Sequence, residues 1–207
     1  MEELLPNFWC FNRFRDASLI KTEDVLWQGP FSWPGFEQIN NLMPGPDVAG
    51  VYLFTFKYKD GYILRSAGNT NSMKRRFAEH KRKYMSGEYT VLDVESANRG
   101  ERKEIWHGWG YAKEHQDEFL RHKDHILRSV ENELASYHLF ITEIADKRKQ
   151  ERIEFAIIQN AYLSKKPWGD MVDGQMALRG RANDEIPIEV RNICSHKIYG
   201  IPEVFEI

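Results

Sequence analysis

The segment from Gly50 to Ala67 restricts the fold more than any other part of the chain. Apolar and aromatic residues run from Gly50 to Phe56, and a second run of this kind extends from Tyr62 to Ala67. Between them lies the pair Asp60-Gly61, which is typical of tight turns because it supplies a residue that accepts a positive φ. The pattern predicts a strand, a turn and a second strand, so a β-hairpin opens the core.

The residues after the hairpin predict an amphipathic helix with a basic surface. Ser72 or Asn71 can cap its first turn, and apolar residues then recur at three-to-four spacing. Arg76 and His80 are four positions apart, so a helix places both side chains on one face. The two residues can therefore serve one site.

The rest of the chain predicts further elements around this hairpin and helix. Prolines and aromatic residues alternate irregularly in the first 47 positions, which favours an arm that wraps the main domain. The later expectations are an inserted excursion at 85–112, a charged helix at 114–134, a strand at 137–144, a helix at 146–162, and short surface strands within 186–190 and 198–207.

Composition excludes several classes of protein. The chain has 207 residues, 42% of them hydrophobic, and a net charge of −2, which indicates one globular domain without bulk positive charge. Cys10 and Cys194 suggest neither a disulfide framework nor a cysteine zinc site. The first ten residues lack a signal-peptide pattern, and no apolar run approaches the length of a membrane span. We therefore expect a cytoplasmic protein without a membrane partner.

Four motifs follow one another along the chain: Gly50-Val51-Tyr52, then Ser66-Ala67-Gly68 with the following Asn69-Thr70, then the helix from Met73 to His80, and then Glu154. Each triplet alone is weak, but their order and spacing together are more specific. The ordered set resembles the GIY-YIG nuclease family, and the resemblance covers roughly residues 48–166.

The resemblance implies an α+β fold built on a small three-stranded antiparallel sheet flanked by helices. In this interpretation residues 1–47 are the arm, 48–166 are the core with an insertion at about 85–135, and 167–207 are a C-terminal extension, all within one domain.

The resemblance also implies a catalytic set of Tyr52, Arg76, His80 and Glu154. Glu154 would hold Mg²⁺ or Mn²⁺, because such hard cations are held by one or two carboxylates with water and phosphate. Arg76 would hold the scissile phosphate through its planar guanidinium. Tyr52 would activate or position water, and His80 would be its proton partner.

The sequence departs from the family at two places. Ser66 stands where the family usually has a second tyrosine, and serine is too short to reach the same point, so a water, Arg65 or Tyr62 would have to substitute. Tyr62 is four residues earlier on the expected strand face, about 13 Å away, which argues against a direct replacement. An asparagine expected after the glutamate helix has no clear match, and Asn183 is the candidate for it.

DNA is the expected partner. Six basic residues and one acidic residue lie between positions 74 and 83, and such a cluster can neutralise several phosphates. Trp106 and Trp109 could stack on bases, although burial within the insertion is the favoured interpretation. The residues expected to bind nucleic acid are Lys74, Arg75, Lys81, Arg82 and Lys83.

Two hypotheses of function follow. The first is a divalent-metal-dependent endonuclease that hydrolyses DNA phosphodiester bonds, of a restriction, repair or mobile-element type. The alternative, for which Ser66 argues, is a degenerate family member that binds nucleic acid or a protein without cutting.

Overall fold

The hairpin predicted from the sequence lies at the centre of the fold. In the computed structural model, which describes residues 20–173 and 178–207, strands Gly50–Tyr58 and Gly61–Thr70 pair antiparallel. The turn between them consists of Lys59 and Asp60. The prediction that Asp60-Gly61 supplies the positive φ is wrong, because that conformation belongs to Lys59, with φ 49°.

Nine strands and seven helices make up the described part of the chain. The strands are β1 (Lys21–Ser32), β2 (Gly50–Tyr58), β3 (Gly61–Thr70), β4 (Val91–Leu92), β5 (Glu104–Trp106), β6 (His138–Glu143), β7 (Ile188–Cys194), β8 (Ile198–Tyr199) and β9 (Val204–Glu206). The helices are α1 (Glu37–Asn40), α2 (Met73–Met85), α3 (Val94–Asn98), α4 (Trp109–Glu114), α5 (Gln116–Ser136), α6 (Lys147–Leu163) and α7 (Trp168–Met171).

The main sheet has seven strands, in the order β8-β3-β2-β6-β1-β7-β9. It is mixed, because β1 and β7 pair parallel, as do β3 and β8, whereas the other neighbours are antiparallel. The α+β prediction of a small three-stranded sheet is therefore wrong. The three expected strands, β3, β2 and β6, form the middle of a larger sheet.

Strand β1 explains most of this difference. It lies in the segment expected to be an irregular arm, and it begins with polar residues from Lys21 to Asp24 that hide the strand pattern. Pro30 falls at the irregularity between Gln28 and Phe31, where the ladder to β6 is interrupted and a missing N–H is tolerated. The arm up to residue 19, with Cys10, lies outside the described residues.

The two faces of the sheet carry separate apolar clusters. On β2, Val51 and Leu53 point to the face of the sheet that α6 covers. Tyr52, Phe54 and Phe56 point to the other face, which α2 and the insertion with its helix α5 cover. Alternation of side chains along a strand produces this division. Tyr52 therefore enters a core of aromatic rings rather than solvent.

The insertion is an ordered part of the fold. Strands β4 and β5 form a separate two-stranded sheet, and α5 buries Ile126, Val130 and Leu134 in the cluster shared with β2. None of the helices in the described ranges is long and apolar enough to span a membrane.

Candidate active site

The four residues expected to be catalytic line one small cavity. Tyr52 comes from β2, Arg76 and His80 come from α2, and Glu154 comes from α6. The cavity has a volume of about 80 Å³. Tyr52 and Glu154 are 102 positions apart in the sequence, and the structure brings both to this cavity.

Helix α2 places two side chains on the hydroxyl of Tyr52. Ser72 caps the helix by accepting a hydrogen bond from the backbone N–H of Arg75, which settles the choice between Ser72 and Asn71. The Tyr52 hydroxyl lies 2.6 Å from Nε2 of His80, and Arg76 donates from Nε to the same oxygen at 3.1 Å. Because Arg76 and His80 are four residues apart on one face of the helix, both side chains reach the same oxygen atom of Tyr52.

A glycine on β3 lets Tyr52 lie where it does. Gly68 pairs with Tyr52 across the hairpin, and a Cβ at Gly68 would lie 2.0 Å from the Tyr52 hydroxyl oxygen. Any side chain at this position would displace the phenol ring. Phe54 and Phe77 pack against that ring from other directions, with centroid distances of 4.9 and 5.3 Å.

Burial keeps both partners of the central hydrogen bond uncharged. It raises the pKa of Tyr52 well above its usual value, although the positive charge of Arg76 opposes the shift. Burial, together with the charge of Arg76, lowers the pKa of His80 to about 3. At neutral pH the pair is therefore a phenol beside a neutral imidazole.

Glu154 reaches the cavity past one edge of the sheet. Strand β8 pairs only with Tyr62 and Ile63, so in the described structure residues 64–70 of β3 have a strand neighbour on one side only. At this edge Asn69 donates from its side-chain amide to Glu154, and Lys147 donates to Asn69. Asn69 is a contact that sequence reasoning missed.

At the carboxyl group of Glu154, burial outweighs the nearby positive charges of Arg76 and Lys147. Within residues 20–173 and 178–207 it forms no salt bridge, and burial raises its pKa to about 7. The same residues contain no cluster of three or more His, Cys, Asp or Glu side chains able to hold a metal ion. A hard cation at Glu154 would therefore have one carboxylate ligand from the protein and would need water and phosphate as its other ligands.

A β-bulge on β3 corrects the expectation for Tyr62. Phe54 pairs with Ser66 and the next residue, Thr55, pairs with Leu64, so Arg65 is the extra residue. The bulge puts Tyr62 on the opposite face from Ser66, where its ring packs against Phe140. Tyr62 was expected on the face of Ser66, and that expectation is wrong.

Arg65 and Ser66 both line the cavity, but neither replaces a tyrosine hydroxyl directly. The Ser66 hydroxyl donates to the carbonyl oxygen of Ala67 at 3.4 Å. Arg65 is buried and forms a salt bridge of 3.1 Å with Asp173. The side chain of Arg65 is therefore held within the wall of the cavity.

Tyr89 and Trp109, both from the insertion, line the cavity as well. The ring of Tyr89 lies 5.5 Å from the ring of His80, and its hydroxyl makes no hydrogen bond within the described part of the chain. Trp106, by contrast, is buried and donates its indole N–H to Gly87. The sequence offered no sign that Tyr89 would reach the site, since it lies beyond the matched motifs.

The predicted nucleic-acid-binding residues lie on the outer surface of α2. Lys74, Arg75, Lys81 and Arg82 are exposed, whereas Lys83 is half-buried. Lys83 follows Arg76 and His80 on the same face of the helix. Its ammonium lies 5.5 Å from the ring of Tyr89, which lines the cavity. Asn183 lies in a turn before β7 and does not line the cavity.

Comparison with known proteins adds no further assignment. No protein-family model matches the sequence, and neither the curated proteins nor the solved structures contain a significant match to this chain.

Proposed function

We propose that this chain is a divalent-metal-dependent endonuclease that hydrolyses DNA phosphodiester bonds, of a restriction, repair or mobile-element type. One observation carries the proposal. The Tyr52 hydroxyl is hydrogen-bonded to both His80 and Arg76 inside a cavity that Glu154 also lines. A proton acceptor, a phosphate-binding cation and a hard oxygen ligand are thereby within one small space.

Tyr52 and His80 form a path for a proton. Tyr52 donates its hydroxyl hydrogen to the neutral Nε2 of His80 and accepts from Arg76. When a water in the cavity attacks phosphorus, its proton passes to the Tyr52 oxygen as the phenolic proton passes to His80. The O–H bond of water breaks, the imidazole becomes imidazolium, and the negative charge of the phosphate offsets the new positive charge. As the new P–O bond forms, the P–O bond to the DNA sugar breaks, and the departing alkoxide takes a proton from solvent.

Arg76 is placed to hold the scissile phosphate. Its Nε donates to Tyr52 and one Nη donates to Glu79 at 3.0 Å, while the other Nη makes no hydrogen bond within the described structure. The side chain lines the cavity and is 33% exposed, which leaves this donor for a phosphate in the proposal. A guanidinium held by two partners has lost most of its rotamer freedom before the phosphate arrives.

Glu154 would hold the metal ion. When bound there, a divalent cation supplies a positive charge that lowers the pKa of water and stabilises charge on the phosphate. Ionisation of Glu154 is disfavoured by its burial, so a cation next to it removes an electrostatic penalty. Asn69 holds one carboxylate oxygen and so fixes the direction of the side chain.

The basic surface of α2 supports DNA as the partner. Lys74, Arg75, Lys81 and Arg82 are exposed on the helix that also carries Arg76 and His80, and Lys83 adjoins the cavity. Because the net charge of the chain is −2, binding to a polyanion must use a local surface of this kind. The proposal includes a cytoplasmic location, for which the scarcity of cysteines argues.

A specific observation favours one alternative. Ser66 places only a short hydroxyl in the cavity, and this hydroxyl bonds to its own neighbouring carbonyl. If catalysis requires a second phenol at that point, the chain is a degenerate module that binds nucleic acid or a protein without cutting. Cleavage is the property that separates the two candidates.

The test compares wild-type protein with Glu154→Ala and with Glu131→Ala, which removes an exposed glutamate on α5. Supercoiled and linear DNA are incubated with Mg²⁺, with Mn²⁺ and with EDTA, and binding is measured separately in EDTA. We expect metal-dependent nicking by wild type and Glu131→Ala, and retained binding without nicking by Glu154→Ala. Full activity in Glu154→Ala would refute the metal assignment, and salt-dependent binding without cleavage in any metal would favour the degenerate module.

A further inference from the structure

Trp109 is an exposed aromatic ring at the rim of the cavity. Its side chain is 43% exposed, yet it lines the same space as Tyr52 and Arg76. Its backbone has a φ of 59°, in the left-handed region that a bulky residue rarely adopts. Such a conformation persists only where neighbouring contacts impose it.

Two hydrogen bonds of Trp109 and the close approach of the preceding residue to Thr90 impose this position. The backbone N–H of Trp109 donates to the carbonyl of Glu88 at 2.7 Å, and its indole N–H donates to Asp173 at 3.4 Å. The preceding Gly108 lies so close to Thr90 that a Cβ would stand 2.3 Å from the Thr90 nitrogen. The exposed ring is therefore fixed in direction before any ligand binds.

Tyr89 extends this ring surface toward the catalytic residues. The rings of Trp109 and Tyr89 have centroids 5.0 Å apart, and Tyr89 in turn contacts His80 at 5.5 Å. Lys83 places its ammonium 5.5 Å from the Tyr89 ring. An aromatic surface thus runs from solvent to the Tyr52–His80 pair, and Lys83, which also pairs with Glu88 at 4.0 Å, lies along one side.

We infer that Trp109 and Tyr89 form a stacking site for a nucleobase beside the phosphate cavity. A phosphate at Arg76 would bring its own nucleotide to this surface, and aromatic rings next to basic groups are the usual platform for an unpaired base. The inference rests on the proposed function, since it takes nucleic acid as the ligand.

The inference specifies the substrate. A paired base is already stacked on both sides in a duplex, so it has no free face for Trp109 unless it leaves the helix. The cavity, at about 80 Å³, is well below the roughly 300 Å³ of pockets that enclose small ligands, so the base stacks at the rim rather than entering. The preferred substrate therefore has an unpaired nucleotide at the cleavage point, as in a single strand, a loop or a flap.

Binding measured without cleavage tests this inference. A labelled oligonucleotide, single-stranded or annealed to its complement, is titrated in EDTA with wild type, Trp109→Ala, Trp109→Phe and Tyr162→Ala. Tyr162 is the matched control because it is a 46% exposed aromatic on α6 that does not line the cavity. Thermal unfolding of each variant establishes that it is folded.

We expect Trp109→Ala to weaken single-strand binding roughly tenfold and duplex binding much less. Trp109→Phe should retain most of the single-strand affinity, Tyr162→Ala should equal wild type, and an abasic strand should abolish the difference between wild type and Trp109→Ala. Equal losses for both substrates, no loss for either, or no binding of nucleic acid by wild type would overturn the inference. Single-strand preference without cleavage in any metal would instead count against the nuclease and leave the stacking site intact.

Discussion

The hydroxyl of Tyr52 lies 2.6 Å from Nε2 of His80, and both groups are buried. The pKa of the tyrosine is raised and that of the histidine is lowered to about 3. The phenolic proton therefore stays on Tyr52, and Nε2 of His80 accepts a hydrogen bond from it. The imidazole N–H is then on Nδ1, which is buried and has no hydrogen-bond partner in the described structure. Within the described residues, Tyr52 is the hydrogen-bond partner of the His80 ring.

His80→Gln separates the structural role of this histidine from its proposed chemical role. The glutamine carbonyl can accept a hydrogen bond from Tyr52 but cannot take up its proton. We expect DNA cleavage to fall by about 10²- to 10⁴-fold, as for the loss of a general base, with a melting temperature near that of wild type. Single-turnover cleavage in Mg²⁺ and a thermal melt measure the two effects.

His80→Ala is the companion variant. It leaves the buried Tyr52 hydroxyl without its acceptor and opens a cavity, so it should lose stability as well as activity. If His80→Gln cleaves DNA at the wild-type rate, His80 supports the structure only and takes no proton.

Gly68→Ala tests whether the position of Tyr52 matters. The added methyl group would lie 2.0 Å from the Tyr52 hydroxyl oxygen, so the phenol ring must move away from His80 and Arg76. We expect loss of cleavage and a destabilisation of about 1–3 kcal/mol, the usual cost of overpacking a core. Denaturant unfolding and cleavage are measured together.

Gly110→Ala is the matched control for that variant, because a Cβ at Gly110 in α4 meets nothing within 4 Å. It should leave both stability and cleavage close to wild type. Equal activity in Gly68→Ala would show that Tyr52 can move without consequence and would remove it from the mechanism.

The centre of the fold could be predicted from the sequence because its signals are local. Alternation along β2 and β3, the Ser72 cap and the spacing of Arg76 and His80 depend on neighbouring residues only, and the structure confirms these elements. The meeting of Arg76 and His80 at Tyr52 then requires only that α2 pack on the hairpin.

The outer strands could not be predicted in the same way. Strand β1 joins β7 from the far end of the chain, with Leu26 beside Ile193, and such a pairing leaves no mark on nearby sequence. The bulge at Arg65 also has no local signature, yet it reverses the face on which Tyr62 lies. Tyr89 and Trp109 enter the site through the packing of the insertion, which no motif specified.

The raised pKa of Glu154 predicts that metal affinity depends on pH. At a pKa of about 7 the carboxyl is mostly protonated at pH 6 and mostly ionised at pH 8, and a metal ion competes with the proton. Mn²⁺ should therefore bind about tenfold more weakly at pH 6 than at pH 8. Titration calorimetry at the two pH values measures this, with Glu154→Gln as the variant that should show no such site.

The metal-free protein should show the opposite dependence on pH. Because the folded-state pKa of Glu154 lies above its ordinary value of 4.5, the stability it contributes is present below pH 4.5 and is lost as pH rises through about 7. Wild type should thus lose stability relative to Glu154→Gln between pH 5 and about pH 8. Glu133, whose pKa burial also raises to about 7, is common to both proteins and cancels in the difference. Parallel stability curves would contradict the shift.

Tyr89→Phe tests whether the insertion supplies the hydroxyl that Ser66 lacks. The variant keeps the ring contacts with Trp109 and His80 and removes only a hydroxyl that has no partner in the described structure, so stability should change little. If that hydroxyl donates to the phosphate during cleavage, its loss should reduce kcat by about tenfold or more while leaving DNA affinity in EDTA near wild type.

Tyr111→Phe is the matched control for Tyr89→Phe. It removes a hydroxyl from the same insertion, one that donates to Glu118 and does not line the cavity. Wild-type kcat in Tyr89→Phe would mean that this hydroxyl takes no part, and that the cavity works with the single phenol of Tyr52.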